Sequence, residues 1–264
     1  MGRDLTAINY PFKARSLSIN LTDISIRMFT DMKMEITRHL ARGVEYVHLA
    51  GVQGHIAEFG TATGLTSSCL AMALADAREL YSDLETRHGL PPRKLFLFDS
   101  FQGLPVSQAE ADQGSLHVRT GVWGPGACKA LEEAELRQMC EQFIDGDSIQ
   151  IFSGWYADTL SMIAPGTRFA LVHLDCDLYE STRQVLDYLL VHDHLADGCA
   201  IFFDDWSCNH ASPKYGQRRA FKEWVDMFRV DYDDCGEYGR MSRKIIVHID
   251  VTEKDDSVTG PSPA

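Results

Sequence analysis

The sequence predicts an α/β fold, a doubly wound and mostly parallel sheet with helices on both faces. Three observations carry this. Five short runs rich in β-branched and aromatic residues recur along the chain, most of them apolar on both faces, as strands buried between helices are. Helical patterns fall between these runs, and that alternation builds parallel sheets. The chain has 264 residues, 45% of them hydrophobic, which is enough for one large core. Residues 1–250 are therefore expected to form one domain, followed by a polar, disordered tail at 251–264.

The elements follow in order. Leu21–Leu49 reads as a helix capped by Thr22 or Asp23, so residues 1–50 form a helical extension ahead of the sheet. The strand runs are Ile56–Phe59, Leu95–Phe98, Ile149–Phe152, Phe169–Leu174 and Cys199–Phe203. Leu65–Tyr81 is rich in Ala and Leu, as a helix is. Ala127–Phe143 shows helical spacing through Leu131, Leu136, Met139 and Phe143. Leu178–Leu190 puts Leu178, Thr182, Val185, Leu186 and Leu189 on one face. After a helix at Arg219–Phe228, the runs Val230–Asp233 and Lys244–Ile249 predict an antiparallel hairpin at the sheet edge. Pro105–Pro125 is polar and too long for an ordinary connection. It reads either as a lid over the site or as a disordered surface segment.

Charge and cysteines narrow the partners. The formal charge of −13 argues against nucleic acid or an anionic membrane as the main partner and suits a small, neutral or cationic ligand. It is compatible with a homo-oligomer. Seven cysteines without Cys-x-x-Cys spacing read as reduced thiols in a cytoplasmic protein. No apolar run approaches the ~20 residues of a membrane span, and the N-terminus lacks a signal peptide's apolar segment. MGRDLT does match the loose myristoylation pattern at Gly2.

The first strand runs into EFGTATGLTSS, where the small residues Gly60, Ala62 and Gly64 allow a tight turn and close approach to a ligand. The spacing does not fit a dinucleotide fingerprint, which disfavours an NAD-dependent oxidoreductase. An acid two residues before the first glycine fits S-adenosylmethionine (SAM) better, with Glu58 holding its methionyl amino group. The alternative is that these small residues only pack. The second strand ends in Asp99 and Ser100, and an acid there is placed to accept both ribose hydroxyls of a nucleoside. Alternatively, Asp99 or Ser100 caps the next turn.

The fourth strand ends at Asp175 and the fifth at Asp204 and Asp205. If those strands are neighbours, three carboxylates meet beyond their carboxyl ends, where doubly wound sheets bind ligands. A divalent cation would relieve the repulsion, and oxygen-only ligands select Mg²⁺, Mn²⁺ or Ca²⁺ over zinc. Three acids with open positions suit Mg²⁺. The alternative is a helix cap, or an ion pair with Arg218 or Arg219. Asp177 and Glu180 have capping-box spacing ahead of the Leu178–Leu190 helix. Asp177 is thus either that helix's cap or a general base beside the metal. His173 reads as a core strand residue, His192 and His194 as surface, and Cys176 as inert. His210 is within reach of the site on sequence distance alone.

Together, AEFGTATG, FLFDSFQGLP, SGWYADTL, LDCDLYESTRQVLDYL and GCAIFFDDW resemble one family, the metal-dependent O-methyltransferases of the macrocin O-methyltransferase type. The resemblance runs from about Ala57 to Phe228, and DSFQGLP followed by DLYEST is its specific part. It implies a Rossmann-like fold of seven strands and methylation of a sugar hydroxyl or vicinal diol of a small molecule in natural-product biosynthesis. It also implies SAM and Mg²⁺ as cofactors. Asp175, Asp204 and Asp205 match the family's metal ligands, Asp177 matches its base, and Gly154 and Trp155 match a Gly-Trp motif near the adenine site. Two departures, TAT between the first glycines and the long SCNHASPKYGQRRAF after Asp204-Asp205-Trp206, leave the acceptor open beyond a macrolide sugar. A phenol, catechol or amine acceptor and a non-catalytic SAM sensor are the alternatives, although a sensor has no need of acids at both strand tips.

Overall fold

A computed structural model describes residues 21–249. Gly2 and the expected tail at 251–264 lie outside them, as do the side chains of Thr22 and Asp23 on which the first helix's cap was expected. The described residues form a seven-stranded sheet of order β3-β2-β1-β4-β5-β7-β6. Its strands are β1 (His55–Phe59), β2 (Leu95–Asp99), β3 (Ile149–Ser153), β4 (Phe169–Leu174), β5 (Leu195–Phe203), β6 (Asp231–Tyr238) and β7 (Ser242–His248). The first five are parallel. β7 runs antiparallel to β5 and carries β6 as a hairpin, so the predicted mixed sheet is the one observed.

Chain order explains the placement of the site. The strand order reverses beside β1: the chain moves out through β2 and β3, then returns to β4 on the other side. The crevice between β1 and β4 at their carboxyl ends is the switch point where such sheets bind ligands. One face is covered by α1 (Leu21–Leu49), α2 (Leu65–His88) and α5 (Glu133–Cys140). The other is covered by α6 (Tyr156–Thr159), α7 (Tyr179–Val191) and α8 (Gly216–Phe228). Between the layers β4 is buried at every residue, which is why it reads as a continuous apolar run. Gly43 lets α1 lie against β5, since a Cβ there would stand 2.5 Å from the Phe202 ring.

On the second face, Phe59, Phe98 and Phe152 stack across three adjacent strands. Their centroids are 4.5 and 4.4 Å apart with nearly parallel planes. Tyr156 meets the ladder edge-on at 5.8 Å.

Three expectations change. The 127–143 helix shrinks to α5, because Cys128 takes a left-handed φ of 65° and a Glu132–Glu135 capping box starts the helix later. β5 starts four residues before Cys199, and His194 just ahead of it is buried, its Nδ1 2.8 Å from the Thr167 carbonyl. Burial lowers that imidazole's pKa; His194 is not a surface residue. The Pro105–Pro125 segment is folded, with short helices α3 (Glu110–Gln113) and α4 (Leu116–Arg119). Its base is closed by Leu104 N–H to the Ala127 carbonyl and Gly126 N–H to the Leu104 carbonyl, both 2.8 Å.

Candidate active site

A cavity of about 390 Å³ opens at the carboxyl ends of the central strands, lined by Gly60, Ala62, Asp99, Ser100, Gly154, Trp155, Tyr156, Asp175 and Asp177 among others. It joins Asp175 and Asp177 to the predicted cofactor residues in one space; Asp204 and Asp205 are not among its lining residues and reach it through their neighbour Asp175.

The acids come together as the strand order demands. β4 and β5 are adjacent and in register through Leu174 and Phe203, so Asp175 and the Asp204–Asp205 pair leave the sheet side by side. One carboxylate oxygen from each lies within 4.8 Å of the others. Asp204 N–H donates to the Leu174 carbonyl at 3.0 Å, and Ser242 Oγ donates to Asp204 at 3.0 Å. Loss of solvent, followed by repulsion from Asp204 and Asp205, raises Asp175 well above the usual carboxylate range. Asp205 is raised by the same loss of solvent and by Asp177 and Asp204. No Lys or Arg among the described cavity-lining residues relieves this charge. All-oxygen donors at this spacing, electrostatically uncompensated, fit a hard divalent cation. The alternative roles for Asp204 and Asp205, a helix cap or an ion pair with Arg218 or Arg219, are not what the structure shows. Arg219 pairs with Glu223 at 2.7 Å, and Arg218 donates to the Ala211 carbonyl.

Asp177 is not the cap of α7. Leu178 occupies the N-cap position and contributes no side-chain bond. Asp177 instead adopts φ 57°, which directs its carboxylate into the cavity while its N–H donates to Asp205 Oδ2 at 3.2 Å. It is only 8% exposed, and burial, then the Asp175 charge, raise its pKa. Glu180 does not reach back to close a capping box. Its Oε2 accepts from Gln108 N–H at 3.0 Å.

At the nucleotide end, Gly60 takes φ +89°, and any side chain there would strike the Asp175 carbonyl oxygen. The glycine therefore lets the β1 loop pass directly over the end of β4. Asp99 lines the cavity, but it also organises that loop. Its Oδ2 accepts from Thr61 N–H (2.7 Å), Thr61 Oγ (2.8 Å) and Ala62 N–H (3.3 Å), and its Oδ1 from Phe101 N–H (2.7 Å). Ser100 turns the chain by donating to the Gly103 carbonyl. Gly154 N–H ties β3 to β2 through the Asp99 carbonyl at 2.9 Å, and Trp155 follows on the cavity wall.

Two predicted cofactor residues lie elsewhere. Glu58 is fully buried between β1 and α2, bonded to Ser67 Oγ and, at 3.0 Å, to His173 Nδ1. Strand alternation turns it to the α2 face, away from the cavity. Burial lowers the His173 imidazole, but the Glu58 hydrogen bond and charge outweigh this and leave it raised. Gly64 faces α5, where a Cβ would meet Leu131, Leu136 and Met139. His210 is exposed and outside the cavity lining.

The family model for macrocin-O-methyltransferase (TylF) matches residues 6–235. The chain belongs to the macrocin O-methyltransferase family. It is thus a SAM-dependent methyltransferase. The 8-demethyl-8-(2,3-dimethoxy-alpha-L-rhamnosyl)-tetracenomycin-C 4'-O-methyltransferase of Streptomyces olivaceus is 30% identical over 205 residues, which is 75% of this chain and 69% of that protein. In fold the methyltransferase is similar to the O-methyltransferase NovP, with TM-score 0.60 and 23% identity over 81% of this chain and 80% of that one. It is also similar to the calicheamicin methyltransferase CalS11, with TM-score 0.57 and 21% identity over 88% and 87%.

Several residues that shape this methyltransferase's cavity carry no sequence signature. Gln217 of α8, fully buried, accepts from Asp205 N–H (2.9 Å) and donates to the Leu174 carbonyl (3.0 Å). Cys128 is exposed yet lines the cavity beside Asp177; partial loss of solvent first, then Asp177, push its thiol up to about 12. Asn209, His210 and Ala211 form three successive left-handed residues without a glycine, a costly arrangement of roughly 1–3 kcal/mol per residue. The Asn209 side chain holds His117 of the insertion at 2.7 Å. Cys176 is buried and its thiol is raised by that burial, consistent with an inert residue.

Proposed function

We propose that the protein transfers the methyl group of SAM to a hydroxyl of a sugar or vicinal diol, on a small molecule of natural-product biosynthesis, in a Mg²⁺-dependent reaction. One observation carries this. Three carboxylates converge within 4.8 Å, and one of them, Asp175, lines the same cavity as the nucleotide-end residues Gly60, Asp99 and Trp155. Asp175, Asp204 and Asp205 hold the ion, Asp177 is the general base, and Asp99, Ser100, Gly154 and Trp155 take the nucleoside. Residues 1–250 act as one catalytic domain, with 105–125 as its lid. The S. olivaceus relative is named for methylating a rhamnosyl group, which supports a sugar acceptor. A cavity wall with Asp99, Asp175, Asp177 and Glu180 and no Lys or Arg among its described residues favours a neutral acceptor over an anionic one. Seven free thiols support a reducing, cytoplasmic setting.

When bound, a divalent ion supplies Lewis acidity that makes an alcohol's proton easier to remove. Asp175, Asp204 and Asp205 fix the place where that happens, at the end of β4 and β5. Asp177 accepts the hydroxyl proton as the oxygen bonds to the methyl carbon and the carbon–sulfur bond breaks. The Asp99 loop and Trp155 orient the donor, so that proximity supplies much of the rate.

The test is transfer of labelled methyl from SAM to methyl α-L-rhamnoside, catechol and a primary amine, each with Mg²⁺ and with EDTA. The proposal expects the rhamnoside to be methylated only with Mg²⁺. Transfer undiminished by EDTA would remove the metal from the mechanism, and catechol or amine as the sole acceptor would overturn the substrate class.

A further inference from the structure

Helix α7 has no cap of its own. Leu178 offers no acceptor, and Asp177 has turned into the cavity. Its leading amides are served instead from the insertion. Tyr179 N–H donates to Asp112 Oδ1 at 2.7 Å, and Glu180 N–H donates to Asp112 Oδ2 at 3.0 Å. The exchange is mutual, because Glu180 Oε2 accepts from Gln108 N–H at 3.0 Å. Ser107 Oγ lies between the two carboxylates, 2.7 Å from Asp112 and 2.6 Å from Glu180. This is a capping box whose halves lie on different parts of the chain, each satisfying the other's free N–H groups. Asp112 is 1% exposed. Its charge sits against a helix N-terminus, where a carboxylate is stabilised.

We infer that Asp112 is a positioning residue for Asp177, acting through the first turn of α7. A local cap at position 177 would need that side chain to point back along the helix. With Asp112 in the role, Asp177 is free to turn inward while its N–H braces Asp205 at 3.2 Å. Seating the insertion and aligning the base are then linked, because one of the contacts that hold 105–125 in place, beside His117 with Asn209, is also the contact that meets the first turn of α7. The inference rests on Asp177 being the base. Asp112 and Ser107 do not themselves line the cavity.

The experiment uses the full chain with Mg²⁺ and compares wild type with Asp112→Ala and Asp112→Asn. Hydrogen exchange of the segment spanning 176–182 is measured alongside turnover of methyl α-L-rhamnoside. Asp112→Ala should speed exchange at Tyr179 and Glu180 by about tenfold or more. It should lower kcat by ~10- to 100-fold, as a misplaced group does, with KM for SAM within about threefold of wild type. Asp112→Asn keeps one acceptor oxygen and should fall between. Should Asp112→Ala fail to fold, Ser107→Ala removes only the bridging hydroxyl and should lower kcat about threefold. Faster exchange with unchanged kcat would reduce Asp112 to a structural cap, and unchanged exchange would remove it from the cap altogether. Either result overturns the inference. A wild type inert toward the rhamnoside overturns the functional reading instead, and exchange still decides whether Asp112 caps α7.

Discussion

Replacing Gln217 with leucine should damage both stability and metal affinity, and the structure gives the size of the effect. The side chain is fully buried, and its one amide group spans the two strand ends that carry the acids. Leucine has nearly the same volume, so the cavity term is small. The Asp205 N–H loses its partner, while the Leu174 carbonyl loses one of two donors and keeps the Asp204 N–H at 3.0 Å. The orphaned N–H costs about 1–3 kcal/mol and the lost bond to the carbonyl about 0.5–1.5 kcal/mol, so the total is about 1.5–4.5 kcal/mol. For a domain of this size a kcal/mol corresponds to about 2–4 °C, which puts the fall in Tm on the order of 10 °C. The Asp205 backbone also moves, and loss of an outer partner of a metal site typically weakens the ion by ~10- to 100-fold. Thermal unfolding followed by circular dichroism, with and without Mn²⁺ as the probe ion, reads both quantities. Wild type should gain more Tm from Mn²⁺ than the variant, since stabilisation follows the ratio of ion concentration to Kd. A Gln217→Leu protein with wild-type Tm and an unchanged response to Mn²⁺ would refute the idea that this amide holds the acids in place.

Three further outcomes are expected. Asp177→Asn should lower turnover by ~10²–10⁴ at saturating Mg²⁺ while metal and SAM still bind, whereas Asp204→Asn should lose metal affinity; rescue of Asp177→Asn by excess Mg²⁺ would make Asp177 a ligand instead. Asp99→Ala should weaken SAM by ~30-fold or more in calorimetry, because it removes the acceptor of four loop donors as well as the proposed ribose partner, and unchanged affinity would detach Asp99 from the cofactor. Limited proteolysis should cut 105–125 more slowly with SAM present, as a lid over a site does, and equal cleavage in both states would count against a lid.

The sheet was legible because its signal is local. β4 is buried along its whole length, and an apolar run between helical patterns says so directly. The acid triad was legible because the residues after parallel neighbours must emerge together. Glu58 was misplaced because an acid before a glycine carries no mark of which face it points to; its bond to Ser67 of α2 is what shows that it turns that way. The Asp177-x-x-Glu180 spacing imitates a capping box, and the left-handed φ that breaks it has no signature in an aspartate. Asp112 and Gln217 were invisible for a different reason. Their partners lie 67 and 43 residues away, and an aspartate in a polar loop or a glutamine in an amphipathic helix looks like a solvated residue. The true start of α5 was available in Glu132-x-x-Glu135, but helical periodicity continuing upstream obscured it.

The stacked Phe59, Phe98 and Phe152 also bear on how the chain reaches this structure. Parallel strands must find partners far along the sequence, which is slow and open to slippage. A slip of one residue would send a ring to the opposite face of the sheet. The ladder therefore makes the correct alignment of β1, β2 and β3 self-reporting: three rings stack only when Phe59 lies opposite Phe98 and Phe98 opposite Phe152. The next residues along, Gly60, Asp99 and Ser153, then arrive level with one another, so the folding chain checks the height of its strand tips before a ligand enters.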